Sequence, residues 1–174
     1  MKSQGYSLIE LIVVLGIVAT LLATVALNFE SWQKKNMVER YTKELYADIQ
    51  NARMQAAFKK KRQRVEFPAA LTGIRTITFK SYSGEGDAVG AVVATKQLPV
   101  PLSRNSGWSN PSAYQVEFDV HGVMNDSACP TKVLCFFSES NATYDAVIIS
   151  PILTNMGKII DQGVACGPTN VTQK

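Results

Sequence analysis

Residues 11–29 carry no charged side chain, and this run restricts the architecture more than any other feature of the 174-residue chain. At about 1.5 Å of rise per residue it forms roughly 28 Å of helix, close to a hydrocarbon core of about 30 Å. A simple cytosolic enzyme is therefore not expected. The remaining residues are ordinary enough for one globular domain plus this appendage: 46% apolar and 18% charged overall, a balance that excludes a disordered or fibrous chain.

Charge is unevenly spread. Between Lys34 and Arg64 ten Lys or Arg face only Glu39, Glu44 and Asp48, while the rest of the chain to residue 174 is close to neutral. The net charge of +4 alone implies no nucleic-acid partner. Three cysteines, Cys129, Cys135 and Cys166, follow the apolar run, so an oxidising compartment would form one disulfide and leave one thiol. The turn Pro130-Thr131-Lys132 favours Cys129 with Cys135; the rival is Cys166 with either, pinning the carboxyl-terminal tail to a sheet. No Cys/His spacing suggests a metal, and no cofactor is implied.

A secretory signal would end in a small-x-small site, which Thr24-Val25-Ala26 offers weakly. Against that reading, the apolar stretch is long and Glu10 stands at its leading edge. A carboxylate at membrane depth costs about 2.5 to 3.5 kcal/mol on insertion scales, which makes it a functional candidate.

The string Gly5-Tyr6-Ser7-Leu8-Ile9-Glu10-Leu11-Ile12-Val13-Val14 resembles the type IV prepilin signature: a short basic leader ending in Gly, then an aromatic, a small polar residue, two aliphatics and Glu. The resemblance implies cleavage after Gly5 by a membrane prepilin peptidase and methylation of the new amine at Tyr6. Glu10 is then the assembly residue, meeting that amine in low dielectric and registering a subunit among its neighbours. Many major pilins have Pro where this chain has Leu27, so the apolar helix lacks that kink, which suits a minor component.

Beyond Phe29 no Pro or Gly interrupts the pattern as far as Gln63. Val38, Tyr41, Leu45, Ile49, Ala52 and Ala56 recur at steps of three or four, one apolar stripe on a helix otherwise charged. The expected organisation is a leader at 1–5, a transmembrane and fibre-core helix at 6–30, an amphipathic helix at 31–63 and a β-rich head at 64–174. Runs rich in Val, Ile, Thr, Tyr and Phe at 64–67, 76–82, 89–95, 114–120, 133–137 and 144–150 predict strands. Turn residues predict a hairpin loop at 84–87, a long loop at 99–111 and a turn at 125–130. The fold class is α+β, a long amino-terminal helix packed on an antiparallel β head.

Residues 44–57, a basic tract and Val65-Glu66-Phe67 are similar to the GspH/FimT family of minor pilins and pseudopilins, which commonly reads Leu-x-x-Ala-Arg-x-x-Ala before a first strand. Its Phe-x-x-x-Gly ending is matched by Phe118 to Gly122, its two further strands by 133–137 and 146–160, and its terminal Gly-Arg-Val by Gly157-Lys158-Ile159. This resemblance implies a minor pilin of a bacterial type IV pilus, in a priming or tip complex, whose partners are other pilins, the prepilin peptidase and the inner membrane. The head would be periplasmic before assembly and the subunit part of the fibre afterwards. Alternatives are a type II secretion pseudopilin of the same family and a DNA-binding minor pilin in natural transformation.

No catalytic constellation emerges. His121 is the single histidine and lies beside a Gly at a strand end; Gly84-x-Gly86 opens no helix; Glu117 and Asp119 share one strand face as a solvated edge would. The densest charge is Lys59, Lys60, Lys61, Arg62 and Arg64, which suits a solvated helix terminus. It is also the candidate contact for DNA or anionic lipid, with Arg104, Lys132 and Lys158 next in line.

Overall fold

A computed structural model describes residues 7–68, 75–84, 86–105, 108, 114–124, 126, 129–137 and 141–174, without the side chains of 24–28 and 75. Within it one helix, α1 (Leu8–Lys59), runs 52 residues, about 78 Å at 1.5 Å per residue. It starts where Ser7 turns from extended backbone and its carbonyl accepts the N–H groups of Glu10 (3.0 Å) and Leu11 (3.2 Å). It stops earlier than residue 63, because Lys60 enters the left-handed region at φ 53°; the N–H groups of Lys60 and Lys61 then both point to the Ala56 carbonyl.

The chain next enters strands β1 (Gln63–Phe67), β2 (Arg75–Ser81), β3 (Ala91–Leu98), β4 (Ser103–Arg104), β5 (Tyr114–Phe118), β6 (Lys132–Cys135), β7 (Ala146–Ile149), β8 (Thr154–Ile159) and β9 (Val171–Gln173). Two antiparallel sheets result, ordered β3-β2-β1-β5 and β4-β6-β7-β8-β9. The expected α+β class, a long helix against an antiparallel head, is therefore the observed one. Residues 146–160 form a hairpin rather than one strand. Pro151 lacks a ladder donor, and the Ser150 N–H turns back to the Leu153 carbonyl at 2.8 Å. β4 interrupts the loop expected at 99–111, and β9 closes the second sheet; both are too short for a periodicity to announce them.

The helical stripe behaves as its spacing predicts. Val38, Leu45, Ile49, Ala52 and Ala56 are buried, with Tyr41 half-buried, against Val65, Ile77, Val116 and Phe118 of the first sheet and Leu134, Val147 and Ile149 of the second. The second sheet is covered on its other face too. Val133, Cys135, Ala146, Ile148, Ile159 and Val171 of this sheet form a buried cluster there with Cys166, and β6 and β7 are buried at every residue. That is why residues 133–137 and 146–149 read as unbroken apolar runs and not as alternation.

Candidate functional site

Two regions carry the residues singled out above: the start of α1 and the junction where its far end meets the head. Gly5 and Tyr6, with the rest of the leader, lie outside the described residues. Glu10 occupies the first turn of α1, where a carboxylate is favoured by the positive end of the helix dipole. Around it Leu8, Ile9, Leu11, Ile12, Val14 and Leu15 are all more than half exposed, so among the described residues no part of the head covers this turn.

Among the described residues no helix is long and apolar enough to cross a membrane. The transmembrane reading of 6–30 rests partly on residues 24–28, whose side chains lie outside the described set. Past that point Phe29 stacks on Trp32 at 5.8 Å between ring centres, and Lys34 pairs with Glu30 at 2.7 Å. The uncharged run thus ends in a mixed stretch of exposed aromatic and charged side chains.

At the far end, Arg53 organises the junction, and no property of its sequence position except the family pattern pointed to it. Its guanidinium donates to the carbonyls of Pro151 and Ser150 at 2.8 Å, to those of Gly122 and Leu153 at 3.3 Å, and to Thr154 Oγ1 at 3.2 Å. It also lies 4.8 Å over the Phe118 ring. Burial pushes its pKa down from the usual arginine value. One buried side chain so ties the helix to the turn after β5 and to the β7–β8 turn.

The Phe118-to-Gly122 segment is built for this contact. Asp119 Oδ1 accepts the N–H groups of His121 (2.8 Å) and Val123 (2.9 Å). Burial opposes ionisation of Asp119, but those hydrogen bonds prevail and hold its carboxyl below the usual range. Gly122 sits at φ +77°, and a Cβ there would come within 2.9 Å of the Arg53 carbonyl oxygen. Glycine is required both by the left-handed backbone and by the approach of helix to turn. Asp119 therefore shapes a docking turn and does not share a solvated strand face with Glu117. His121 is exposed, its Nδ1 3.6 Å from Asp119.

The basic tract divides. Lys59, Lys60 and Lys61 are exposed, and Lys59 bonds to Gln55 Oε1 at 3.1 Å. Arg62 and Arg64 are bound instead to one carboxylate, Glu117, at 2.9 and 2.7 Å, and both lie over the Tyr82 ring at 4.9 and 4.7 Å. Glu66 and Lys80 extend this network across the outer face of the first sheet. The five-cation cluster expected at 59–64 is thus three exposed lysines beside two arginines held by the sheet. Of the further basic candidates, Lys132 is buried against Asp126 at 2.6 Å, and its Nζ also donates to the Gln115 carbonyl. Arg104 covers the Tyr114 ring, and Lys158 is bonded to Asn141 at 2.7 Å.

The disulfide joins Cys135 to Cys166 across a Cα separation of 5.9 Å, which corrects the expected Cys129–Cys135 pairing. Strand alternation explains it: Cys135, like Val133, faces the outer cluster with Cys166, while Cys129 lies in the main core with Leu134 and Phe136. Cys129 is a buried free thiol, its sulfur 3.3 Å from the Thr131 carbonyl. Gly157 helps seal the same face. A Cβ at this position would lie 2.5 Å from Val171 and 2.9 Å from the Thr172 carbonyl oxygen, so a side chain here would collide with β9.

Comparison with known proteins bears on the amino terminus. The family model described as the prokaryotic N-terminal methylation motif matches residues 1–26. No curated protein and no solved structure matches the chain. The match makes this segment a type IV pilin-like prepilin leader, which fits a chain handled by a prepilin peptidase, anchored in a membrane before assembly and partnered by other pilins.

Proposed function

We propose that the chain is a minor pilin of the GspH/FimT type, cleaved after Gly5, methylated at Tyr6 and built through α1 into the priming or tip complex of a bacterial type IV pilus. The observation that carries this reading is the continuity of the methylation motif with a single 52-residue helix, whose exposed apolar half leads without a break into the core of an α+β head. The apolar half crosses the inner membrane before assembly, and the head lies outside the cytoplasm, in keeping with the Cys135–Cys166 bond. Its role is structural rather than catalytic. The polar side chains buried in the head support this, since Arg53 and Asp145 are engaged with backbone: Asp145 Oδ1 accepts the Ile159 N–H at 2.6 Å.

Mass spectrometry of the mature amino terminus tests the proposal. An N-methylated Tyr6 is expected; a terminus at Leu27 would refute it and restore the secretory-signal reading. Glu10→Ala should be processed normally yet fail to enter the fibre, because the Tyr6 amine loses its partner in low dielectric. Incorporation is to be scored on this subunit and not on fibre number.

A further inference from the structure

Four asparagines of the chain stand two residues before a Ser or Thr: Asn110, Asn125, Asn141 and Asn170. Asn-x-Ser/Thr is the acceptor of N-linked glycan where x is not proline and the asparagine lies on the surface of an exported domain. Pro111 removes the first of the four, and Asn125 lies outside the described residues. Asn170 is buried, and its Nδ2, the atom that would be modified, already donates to the carbonyls of Asp161 at 2.8 Å and Val164 at 3.3 Å.

Asn141 differs from Asn170 on both counts. It is exposed, in the connection between β6 and β7, and its Oδ1 accepts from Lys158 Nζ of β8 at 2.7 Å. Its Nδ2 has no hydrogen-bond partner among the described residues. The next residue, Ala142, is buried, so the backbone is seated here while the asparagine side chain stays outside, and a substituent on Nδ2 would displace no core contact. The sequence separates it from the other three as well. Two places before the asparagine stand Trp108, Val123 and Pro168 in those, and Glu139 before Asn141, which gives the extended acidic form of the acceptor that bacterial transferases take.

We infer that Asn141 carries an N-linked glycan, taken from a polyprenyl-pyrophosphate-linked donor outside the cytoplasm. Nδ2 attacks the anomeric carbon. The N–C bond forms as the C–O bond to pyrophosphate breaks, the electron pair of that bond leaves with the pyrophosphate, and an amide proton passes to a base of the transferase; nothing is oxidised or reduced. In the folded head the Thr143 N–H donates to Glu39 Oε1 at 2.7 Å, and the Thr143 hydroxyl bonds the same carboxylate. That hydroxyl belongs to the recognised tripeptide, so the acceptor is open to a transferase before this connection docks on α1. Export of the head, with which the Cys135–Cys166 bond agrees, is the one premise shared with the proposed function.

Mass spectrometry of the full chain, purified with its membranes from its own cells, tests this. Electron-transfer fragmentation should place a glycan on Asn141 in the parent chain and in Thr143→Ser, and find residue 141 bare in Thr143→Ala. Asn141→Gln should return the whole chain to its unmodified mass. The Cys135–Cys166 bond, read in the same digests, shows that each variant has folded. A bare Asn141 in the parent, undiminished occupancy in Thr143→Ala, or a glycan mass that persists in Asn141→Gln would overturn the inference. The amino terminus is read in the same spectra. A methylated Tyr6 with a bare Asn141 removes this inference and leaves the proposed function standing, and a glycan at Asn141 on a chain that starts at Leu27 does the reverse.

Discussion

Along one continuous helix, Leu8, Leu15 and Leu22 are 77%, 59% and 63% exposed, whereas Leu45 and Ile49 are completely buried. The first half has apolar side chains on every side, and among the described residues nothing in the head covers it. The second half is charged on most of its circumference and buries one stripe. Same backbone, same side-chain chemistry at the apolar positions, opposite fates: what differs is whether the partner surface belongs to this chain. A helix apolar all round belongs in a core larger than itself or in a bilayer, so the first half is incomplete in isolation and the second is not.

The sharpest way to break this contrast is to truncate one side chain in each half. Ile49→Ala should destabilise the head by about 2 to 5 kcal/mol, since truncating a completely buried side chain leaves a cavity between α1 and the sheets. Leu15→Ala should leave head unfolding unchanged, because that side chain touches none of the head. Denaturant melts of both variants in one detergent check the pair, and an equal loss in each would mean that the exposed half packs on the head.

The disulfide makes a comparable contribution on the opposite side of the second sheet. With about 31 residues in the closed loop, chain-entropy reasoning gives roughly 3.5 kcal/mol for its loss. Cys166→Ser should therefore lower stability by about 2 to 5 kcal/mol, and Cys129→Ser by less than Cys166→Ser. Peptide mapping without reductant should find 135 joined to 166. The pairing was not legible from the turn at Pro130, because proximity in sequence competes with strand alternation. A cysteine three places after that turn already points to whichever face β6 assigns it, and only knowing that the tail folds back over that face selects Cys166.

Other parts of the head divide along the same line between local and long-range causes. The amphipathic stripe, the strands near 64–67 and 114–120 and the turn ending at Gly122 are set by neighbours in sequence, and their patterns were legible. The positions of Arg53, Arg62 and Arg64 are not local facts. Arg53 reads as one more cation on a charged helix face, yet its partners are 69 to 101 residues away. Arg62 and Arg64 read as an extension of a lysine run, yet Arg62 just precedes the first strand, Arg64 stands on it, and both meet Glu117 from the strand beside it. The family pattern Ala-Arg marked Arg53 without giving its reason.

Arg53 is the helix residue through which the buried half is locked, so it tests the contrast within that half. Arg53→Met keeps length and apolar contact with Phe118 but removes the guanidinium donor from the Ser150 carbonyl, while the Pro151 carbonyl keeps the Met124 N–H at 2.9 Å. An acceptor left unpaired costs about 1 to 3 kcal/mol, and the guanidinium's other hydrogen bonds are lost with it. A loss of about 2 to 4 kcal/mol is expected, with hydrogen exchange fastest at the Asp119–Gly122 and 150–153 turns. Arg53→Lys should recover only part, since an ammonium cannot serve five acceptors in the plane of a guanidinium. Uniform acceleration across the whole head would instead make Arg53 a packing residue only.

The smallest effect on stability is expected where the helix leaves its stripe and ends in water. Lys59, Lys60 and Lys61 are exposed, and replacing all three with Ala should change head stability by less than about 0.5 kcal/mol, because exposed side chains contribute little. Nucleic acid is where such a substitution would speak. With Arg62 and Arg64 already bound to Glu117, the tract offers three cations in place of five, so any binding of duplex DNA should be weak and free of sequence preference. A slope near 0.9 per neutralised phosphate in a plot of log affinity against log salt would then fall by about 3 units in the triple variant. An unchanged slope would shift the contact to other basic residues, and Arg104 and Lys158 would be replaced next, since Lys132 is buried in its pair with Asp126. No binding at low salt by the parent chain would leave the end of α1 as a solvated terminus, its lysines serving only to oppose the negative pole of a helix whose other pole carries Glu10.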